Sequence, residues 1–154
     1  EVQDDGTPPK GAYPSSGLPE EETAAPVDPF GPDADAQDLA DPFSAELIEF
    51  QRGKGTSQAV QIDHMVALSD AWQKGAQQLS EEERRNFAND PLNLQSVKGS
   101  LNSQKGDGDA ATWLPPNVAY RCEYVARQIV IKQEYRLWVT AAERDAMDRE
   151  LSRC

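Results

Sequence analysis

Residues 59–66 read Ala59-Val60-Gln61-Ile62-Asp63-His64-Met65-Val66 and contain the only histidine of the 154-residue chain. Apolar and polar residues alternate up to this histidine, which is the pattern of a half-buried strand. Two asparagines follow, Asn93 after 29 residues and Asn102 after nine more. One imidazole beside a carboxylate, with amides later in the chain, suits a hydrolytic site with one metal ion and a histidine base. It does not suit a structural zinc site, which needs several Cys or His ligands.

The composition predicts one modest domain with an uneven distribution of charge. Mean hydropathy is -0.72 and the net charge is -12. Residues 1–50 hold 13 acidic residues and one lysine, whereas residues 51–154 hold 14 acidic and 14 basic residues. The acidic N-terminal part repels phosphates, and the neutral remainder can bind them locally. No apolar run approaches the ~20 residues of a membrane span, so we expect no membrane partner.

Residues 1–41 are predicted to form an extended leader without a core of its own. They are rich in proline, acidic residues, glycine and serine, and poor in aliphatic residues. We therefore divide the chain into an acidic, Pro-rich leader, residues 1–41, and a folded domain, residues 42–154. One hypothesis is that the leader is an intramolecular partner, which folds over a basic cleft of the domain and damps activity as a phosphate mimic.

From residue 42 onwards the patterns predict a mixed α+β domain. Residues 44–50 are a short regular element of undefined type. Ser80 and Glu83 have the spacing of a capping box, and the helix that they open ends before Pro91. The remaining predicted elements are strands over 59–64 and 92–97 and helices over 69–76, 100–105, 118–134 and from Thr140 to the C-terminal end.

The two cysteines, Cys122 and Cys154, are predicted to bridge the last two helices. The distance from Cys122 to Glu134 is about 18 Å and that from Thr140 to Cys154 about 21 Å, at ~1.5 Å per helical residue. Antiparallel helices of this length bring both cysteines to the same end. A disulfide predicts an oxidising compartment, and two free thiols in a cytosolic protein are the alternative.

Five runs in the domain carry a family resemblance. They are Ile62–Trp72, Phe87–Leu94, Asn102–Asp107, Trp113–Asn117 and Tyr120–Ala126. Together they resemble the ββα-metal (His-Me finger) fingerprint of HNH endonucleases. The closest resemblance is to small secreted bacterial HNH nucleases related to the nuclease domain of GmrSD-type restriction enzymes. The resemblance covers about residues 42–154, and asparagine stands at the third position of the motif.

The resemblance implies an α+β fold with a ββα-metal core, additional helices and a C-terminal disulfide-linked α-hairpin. It also implies a secreted endonuclease that hydrolyses DNA with little sequence specificity and leaves 5′-phosphate and 3′-hydroxyl ends. His64 matches the general base, Asp63 and Asn102 match the metal ligands, and Asn93 matches the residue that fixes the loop behind the histidine. Carboxylate and amide oxygens suit Mg²⁺, with Mn²⁺ as the alternative.

Basic residues near these positions are candidates for substrate binding. Lys105 follows Asn102 by one helical turn and is a candidate phosphate contact, with a solvated lysine as the alternative. Arg121 and Lys54 are further candidates, and Arg52 and Lys98 are weaker ones. We interpret Asp107 and Asp109 as part of a helix-ending turn rather than a metal loop, because an EF-hand needs more ligands. Trp72, Trp113 and Trp138 are predicted to lie in the core.

Two other functions compete with the nuclease. The first is a catalytically inactive module of the same fold that binds DNA or a protein. The second is a serine hydrolase that uses His64, but the chain has no Gly-x-Ser-x-Gly elbow. We expect a monomer.

Overall fold

The structure, a computed structural model, describes residues 36–51 and 58–154. These residues contain two small antiparallel sheets and five α-helices. These residues belong to one unit, Asp33–Cys154. The strands are β1 (Ala36–Ala40), β2 (Leu47–Gln51), β3 (Val60–His64) and β4 (Leu94–Lys98), and the helices are α1 (Leu68–Gln73), α2 (Glu81–Asn89), α3 (Gly99–Lys105), α4 (Arg121–Glu134) and α5 (Ala141–Leu151). Arg52, Lys54 and residues 1–35 lie outside the described residues.

Strands β1 and β2 form a hairpin that is anchored through Asp41. The carboxylate of Asp41 is buried and accepts hydrogen bonds from the Ser44 amide at 2.9 Å and the Ser44 hydroxyl at 2.6 Å. Its second oxygen accepts from the Lys98 amide at 2.9 Å, which ties the hairpin corner to the end of β4. Strand β1 falls within the residues that the sequence assigns to the leader, and the predicted element at 44–50 corresponds to β2.

Strands β3 and β4 pair in antiparallel register, with Asp63 opposite Gln95 and His64 opposite Leu94. Helix α3 begins directly after β4. The turn between them needs glycine, because a Cβ on Gly99 would lie 1.9 Å from the Gln58 carbonyl oxygen. The predicted strands and the predicted helix after them are therefore present, each within two residues of its expected bounds.

The core lies beneath β3 and β4 and is lined by α4. Its centre is aromatic, with the ring centroids of Phe43 and Trp113 5.0 Å apart and those of Phe43 and Tyr124 5.8 Å apart. Trp113 therefore packs against the core as predicted. The prediction was wrong for Trp72 and Trp138, which are each 50% exposed. The part of α1 that faces the core is instead the small Ala71 and the polar Asp70.

A cluster of buried charges joins α1, α4 and α5. The Lys74 ammonium contacts the carboxylates of Asp70 at 2.6 Å, Glu143 at 2.7 Å and Asp109 at 2.8 Å. Lys132 also binds both Asp70 and Glu143. Burial alone would lower the pKa of Lys74, but its three carboxylate partners hold that pKa above the usual range. Asp109 is thus part of an ion-pair network as well as of the helix-ending turn.

Helices α4 and α5 form the predicted α-hairpin, and the predicted disulfide is confirmed. The Cys122 and Cys154 sulfurs are bonded, with their Cα atoms 6.0 Å apart. Thr140 caps α5, as the sequence predicts, by accepting from the Glu143 amide. The α+β class is confirmed as well. Within residues 36–51 and 58–154, no helix has the length and apolar character needed to cross a bilayer.

We predict that the disulfide stabilises the domain substantially. It links residues 32 positions apart, and the chain-entropy model gives a stabilisation of about 3–4 kcal/mol for a loop of this size. Urea unfolding of the wild type with and without dithiothreitol measures this loss. The Cys122→Ser/Cys154→Ser variant is the control, and its midpoint should not respond to the reductant. Equal midpoints for oxidised and reduced wild type would contradict the prediction.

We predict that the contribution of Asp109 to stability is complete at neutral pH and is progressively lost in acid. Burial by itself raises the pKa of Asp109, but the Lys74 ammonium outweighs this and holds it below the usual carboxyl value of 3.8. A depressed pKa gives stability that is complete above the unfolded-state value and is lost as the pH falls through the folded-state value. Asp109→Asn should therefore lower the free energy of unfolding by roughly 1–3 kcal/mol at pH 7, because a charge-assisted hydrogen bond is lost.

The difference between wild type and Asp109→Asn should shrink below about pH 4, where the carboxyl of the wild type becomes protonated. Asp107→Asn is the matched control, because Asp107 is exposed and no basic group among the described residues pairs with it. Denaturant unfolding from pH 3 to pH 7 measures both variants. A deficit for Asp109→Asn that stays constant across this range would rule out the ionic contribution.

Candidate active site

A cleft of about 330 Å³ opens where the end of β3, the start of α1 and the end of α3 meet. Asp63, His64 and Asn102, which the sequence selects as candidate site residues, all border it. Ala67, Leu68 and Ser69 form the wall on the side of α1. The remaining lining residues are Ile62, Gly106 and Asp107. The fold thus brings residues that are about 40 positions apart in sequence to one opening.

His64 is the last residue of β3 and lies on the open face of the sheet. Its Nε2 is 2.9 Å from the carbonyl oxygen of Ala88, near the end of α2. A carbonyl oxygen only accepts hydrogen bonds, so Nε2 carries the proton. This tautomer leaves the lone pair on Nδ1, and no hydrogen bond from a described residue occupies that nitrogen. His64 therefore presents a proton acceptor at the cleft.

Asn93 holds the loop that follows the histidine. It is fully buried, and its side-chain oxygen accepts from the Val66 amide at 2.8 Å. Its backbone oxygen accepts from the Met65 amide at 2.8 Å, and its amide nitrogen donates to the Phe87 carbonyl at 3.3 Å. These contacts join the loop after β3 to the end of α2, which also supplies the carbonyl that orients His64.

Asp63 points to the opposite face of β3 from His64 and is only 5% exposed. One of its oxygens, Oδ2, accepts from the Lys105 ammonium at 2.6 Å. Burial raises the pKa of the Asp63 carboxyl and lowers the pKa of the Lys105 ammonium, and each partner opposes the shift of the other. No described residue donates to Oδ1 of Asp63, so this carboxylate retains one oxygen without a partner.

Asn102 reaches the cleft from α3, and its amide is held in one orientation. Its Nδ2 donates to the side-chain oxygen of Gln61 on β3 at 2.9 Å. The amide oxygen, Oδ1, lies on the other side of the same group and accepts no hydrogen bond from the described part of the chain. Asp63 and Asn102 thus both line the cleft, and each has one side-chain oxygen to which no described residue donates a hydrogen bond.

The structure does not support Lys105 as a substrate contact. Its side chain is completely buried, and its ammonium also donates to the backbone oxygens of His64 at 2.6 Å and Met65 at 3.1 Å. All three donor positions are used, so Lys105 is neither a phosphate contact nor a solvated lysine. It connects α3 to the strand that carries Asp63 and His64.

The other predicted substrate contacts also lie elsewhere or are not described. Arg121 donates to the Pro115 carbonyl at 2.8 Å and does not border the cleft. Lys98 pairs with Glu46 at the hairpin corner. Lys54 and Arg52 lie outside the described residues. Among the described residues, the cleft is bordered by two carboxylates, those of Asp63 and Asp107, and by no lysine or arginine.

A phosphate entering this cleft would meet the carboxylate of Asp107, which pairs with no basic side chain of the described residues, and that of Asp63, whose charge is paired with Lys105. Two free oxygens, one carboxylate and one amide, fit a hard cation such as Mg²⁺, which keeps several waters and needs few protein ligands. No three His, Cys, Asp or Glu side chains cluster into a metal-binding group within the described residues.

Three features of the site were not predicted from the sequence. The Ala88 carbonyl that orients His64 is a backbone group without a side-chain signal. Gln61, which orients Asn102, looked like an ordinary polar position of an alternating strand. The third feature, the burial of Lys105, had one local signal, namely its spacing of one helical turn from Asn102.

Residues 36–150 match the family described as GmrSD restriction endonucleases, C-terminal domain, and the chain belongs to this family. This membership relates it to nucleases.

A curated relative from Arthroderma benhamiae is named "Uncharacterized secreted protein". It is 41% identical over 97 residues, which are 62% of this chain and 48% of the relative. The matched region thus spans about half the length of that relative. No solved structure matches the chain.

We predict that Lys105 and Asp63 are strongly coupled in stability. Lys105→Met leaves the Asp63 carboxylate buried without its cation, which should lower the free energy of unfolding by roughly 3–5 kcal/mol. Asp63→Asn/Lys105→Met should be more stable than Lys105→Met alone, because the second change removes the unpaired charge. Urea unfolding measures all three proteins.

Lys98→Met is the matched control for Lys105→Met. Lys98 also pairs with one carboxylate, that of Glu46, but both side chains are partly exposed. Its replacement should lower the free energy of unfolding by less than about 1 kcal/mol. If Lys105→Met is no more destabilising than Lys98→Met, the buried pair of Lys105 and Asp63 does not stabilise the candidate site, and the prediction is wrong.

Proposed function

We propose that this protein is a metal-dependent endonuclease that hydrolyses DNA phosphodiester bonds with little sequence specificity, and that His64 is its general base. The observation that carries the proposal is the oriented imidazole of His64. Its Nε2 is bound to the Ala88 carbonyl, no described residue bonds to its Nδ1, and His64 lines a cleft with Asp63 and Asn102. Membership of a restriction endonuclease family supports a nucleic acid substrate.

The β3–β4–α3 unit is proposed to be a ββα-metal core, with Asp63 and Asn102 as the protein ligands of a divalent cation. The donor set supports Mg²⁺, or Mn²⁺ in its place, because both residues keep one hard oxygen free. When bound, this cation would neutralise negative charge on the scissile phosphate and on the leaving oxygen. It would also offset the carboxylate of Asp107, because no basic side chain of the described residues lines the cleft beside it.

In the proposed reaction, His64 accepts a proton on Nδ1 from a water molecule as the water oxygen bonds to phosphorus. The bond between phosphorus and the 3′-oxygen breaks, and that oxygen takes up a proton from solvent. The products are a 5′-phosphate and a 3′-hydroxyl group. The Ala88 carbonyl keeps the imidazole in the required tautomer throughout, and it stabilises the imidazolium that forms because it accepts from Nε2.

We also propose low sequence specificity, because the groups that line the cleft would contact a phosphate and not the edge of a base. We further propose that the protein is secreted. The Cys122–Cys154 disulfide requires an oxidising compartment to persist, and a relative carries the printed name of a secreted protein.

We predict that the protein nicks supercoiled plasmid in Mg²⁺ or Mn²⁺ and that EDTA abolishes the reaction. His64→Ala should reduce the rate about 10²- to 10⁴-fold, as expected for the loss of a general base. Asn102→Ala should raise the Mg²⁺ concentration needed for half-maximal rate. Gel-based cleavage rates over a range of metal concentrations measure these effects.

Asn89→Ala is the control for Asn102→Ala, since Asn89 is an exposed asparagine on α2 whose side chain bonds only to the Arg85 carbonyl. Thermal unfolding should show that every variant is folded. Cleavage that persists in EDTA, or a His64→Ala variant that cleaves at the wild-type rate, would refute the mechanism. A folded wild type that cleaves in no metal would favour the inactive DNA- or protein-binding module.

A further inference from the structure

The outer face of α1 continues the wall of the cleft with exposed apolar side chains. Leu68 borders the cleft and is 48% exposed, and Trp72, four residues later, is 50% exposed. Residues four apart lie on the same helical face, about 6 Å apart along the axis. Trp72 therefore lies on the same face of α1 as Leu68, one helical turn further along the helix from the cleft-lining residue.

Helix α2 places a second group one helical turn from a residue that contacts the active site. Its Ala88 carbonyl binds His64, and Arg84 precedes Ala88 by one turn. The guanidinium carbon of Arg84 is 5.7 Å from the centroid of the Trp72 ring. The same guanidinium donates to the Leu79 carbonyl at 2.6 Å, which fixes its position. Two helices thus lead separately from the cleft to one aromatic and cationic pair.

Trp72 is an exposed tryptophan that takes no part in the hydrophobic core. It is not among the residues that form or flank the hydrophobic core. A flat indole beside a fixed guanidinium has the chemistry of a stacking platform for a nucleobase, with a cation for a neighbouring phosphate. The spacing of one helical turn is comparable to that between adjacent nucleotides in an unstacked strand.

We propose that Trp72, supported by Arg84, is a subsite that stacks an unpaired nucleobase next to the scissile phosphate. This inference rests on the proposed nuclease function and extends it to the choice of substrate. A base within a duplex has both faces covered by its neighbours, so the subsite favours single-stranded or frayed nucleic acid. Any base presents a π face, so the subsite adds affinity without sequence preference.

The test uses single-stranded oligonucleotides in which one abasic residue is moved position by position past a fixed cleavage site. For the wild type, loss of the base at one position near the cut should lower kcat/KM about 5- to 150-fold, the range for one stacked base. For Trp72→Ala this penalty should disappear, and for Trp72→Phe it should be partly retained. The intact oligonucleotide should be cleaved more slowly by Trp72→Ala by the same factor.

Trp138→Ala is the matched control. Trp138 is equally exposed, but its ring rests against Gly75 and it does not border the cleft. It should keep the abasic penalty of the wild type. The inference is overturned if Trp72→Ala retains that penalty, or if the wild type shows no penalty at any position.

A binding measurement separates this inference from the proposed function. Fluorescence anisotropy with the same labelled oligonucleotides reports affinity for wild type, Trp72→Ala and Trp138→Ala, whether or not cleavage occurs. Weaker binding by Trp72→Ala alone supports the subsite even for a protein that cuts nothing. Binding of single strands that is equal in all three proteins, or absent in the wild type, overturns it.

Discussion

The buried ammonium of Lys105 holds the two halves of the candidate site together. A lysine withdrawn from water is costly unless its charge is paired and its hydrogen bonds are made. Here the Asp63 carboxylate supplies the charge, and the backbone oxygens of His64 and Met65 complete the hydrogen bonds. Because Lys105 ends α3 and these acceptors end β3, the contact fixes the helix that carries Asn102 against the strand that carries Asp63 and His64.

The same principle recurs throughout this domain, where buried polar groups fix positions that a small apolar core would leave loose. In the loop after β3, the Asn93 side chain accepts a hydrogen bond from the Val66 amide. Gln128 donates to the Met65 carbonyl of the same loop at 2.7 Å. Around Lys74 and Lys132, three carboxylates join α1 to the C-terminal hairpin. Such groups have defined directions, so they specify one arrangement where apolar contacts tolerate several.

The sequence was most informative where the signal is local. The Ser80 capping box and the alternation before His64 each depend on a few neighbouring residues, and the cysteine pairing depends on the lengths of two locally predicted helices. Each of these features is present. The hairpin of β1 and β2 went unpredicted because its first strand shows no clear alternation within an acidic stretch. Buried lysines are equally hard to predict, since lysine is normally exposed and the Asp63 partner of Lys105 is 42 positions away.

Charge gives the site its particular character. Most proteins that bind nucleic acid surround the phosphate with lysine and arginine, and their affinity then falls steeply with salt. The described border of this cleft has carboxylates and an amide instead, and the one lysine close to it is fully engaged behind Asp63. On the proposed function, the cation and the stacked base would take over the role of basic side chains. Substrate would then be held more tightly when the cation is present, so that binding as well as catalysis would respond to the same ion.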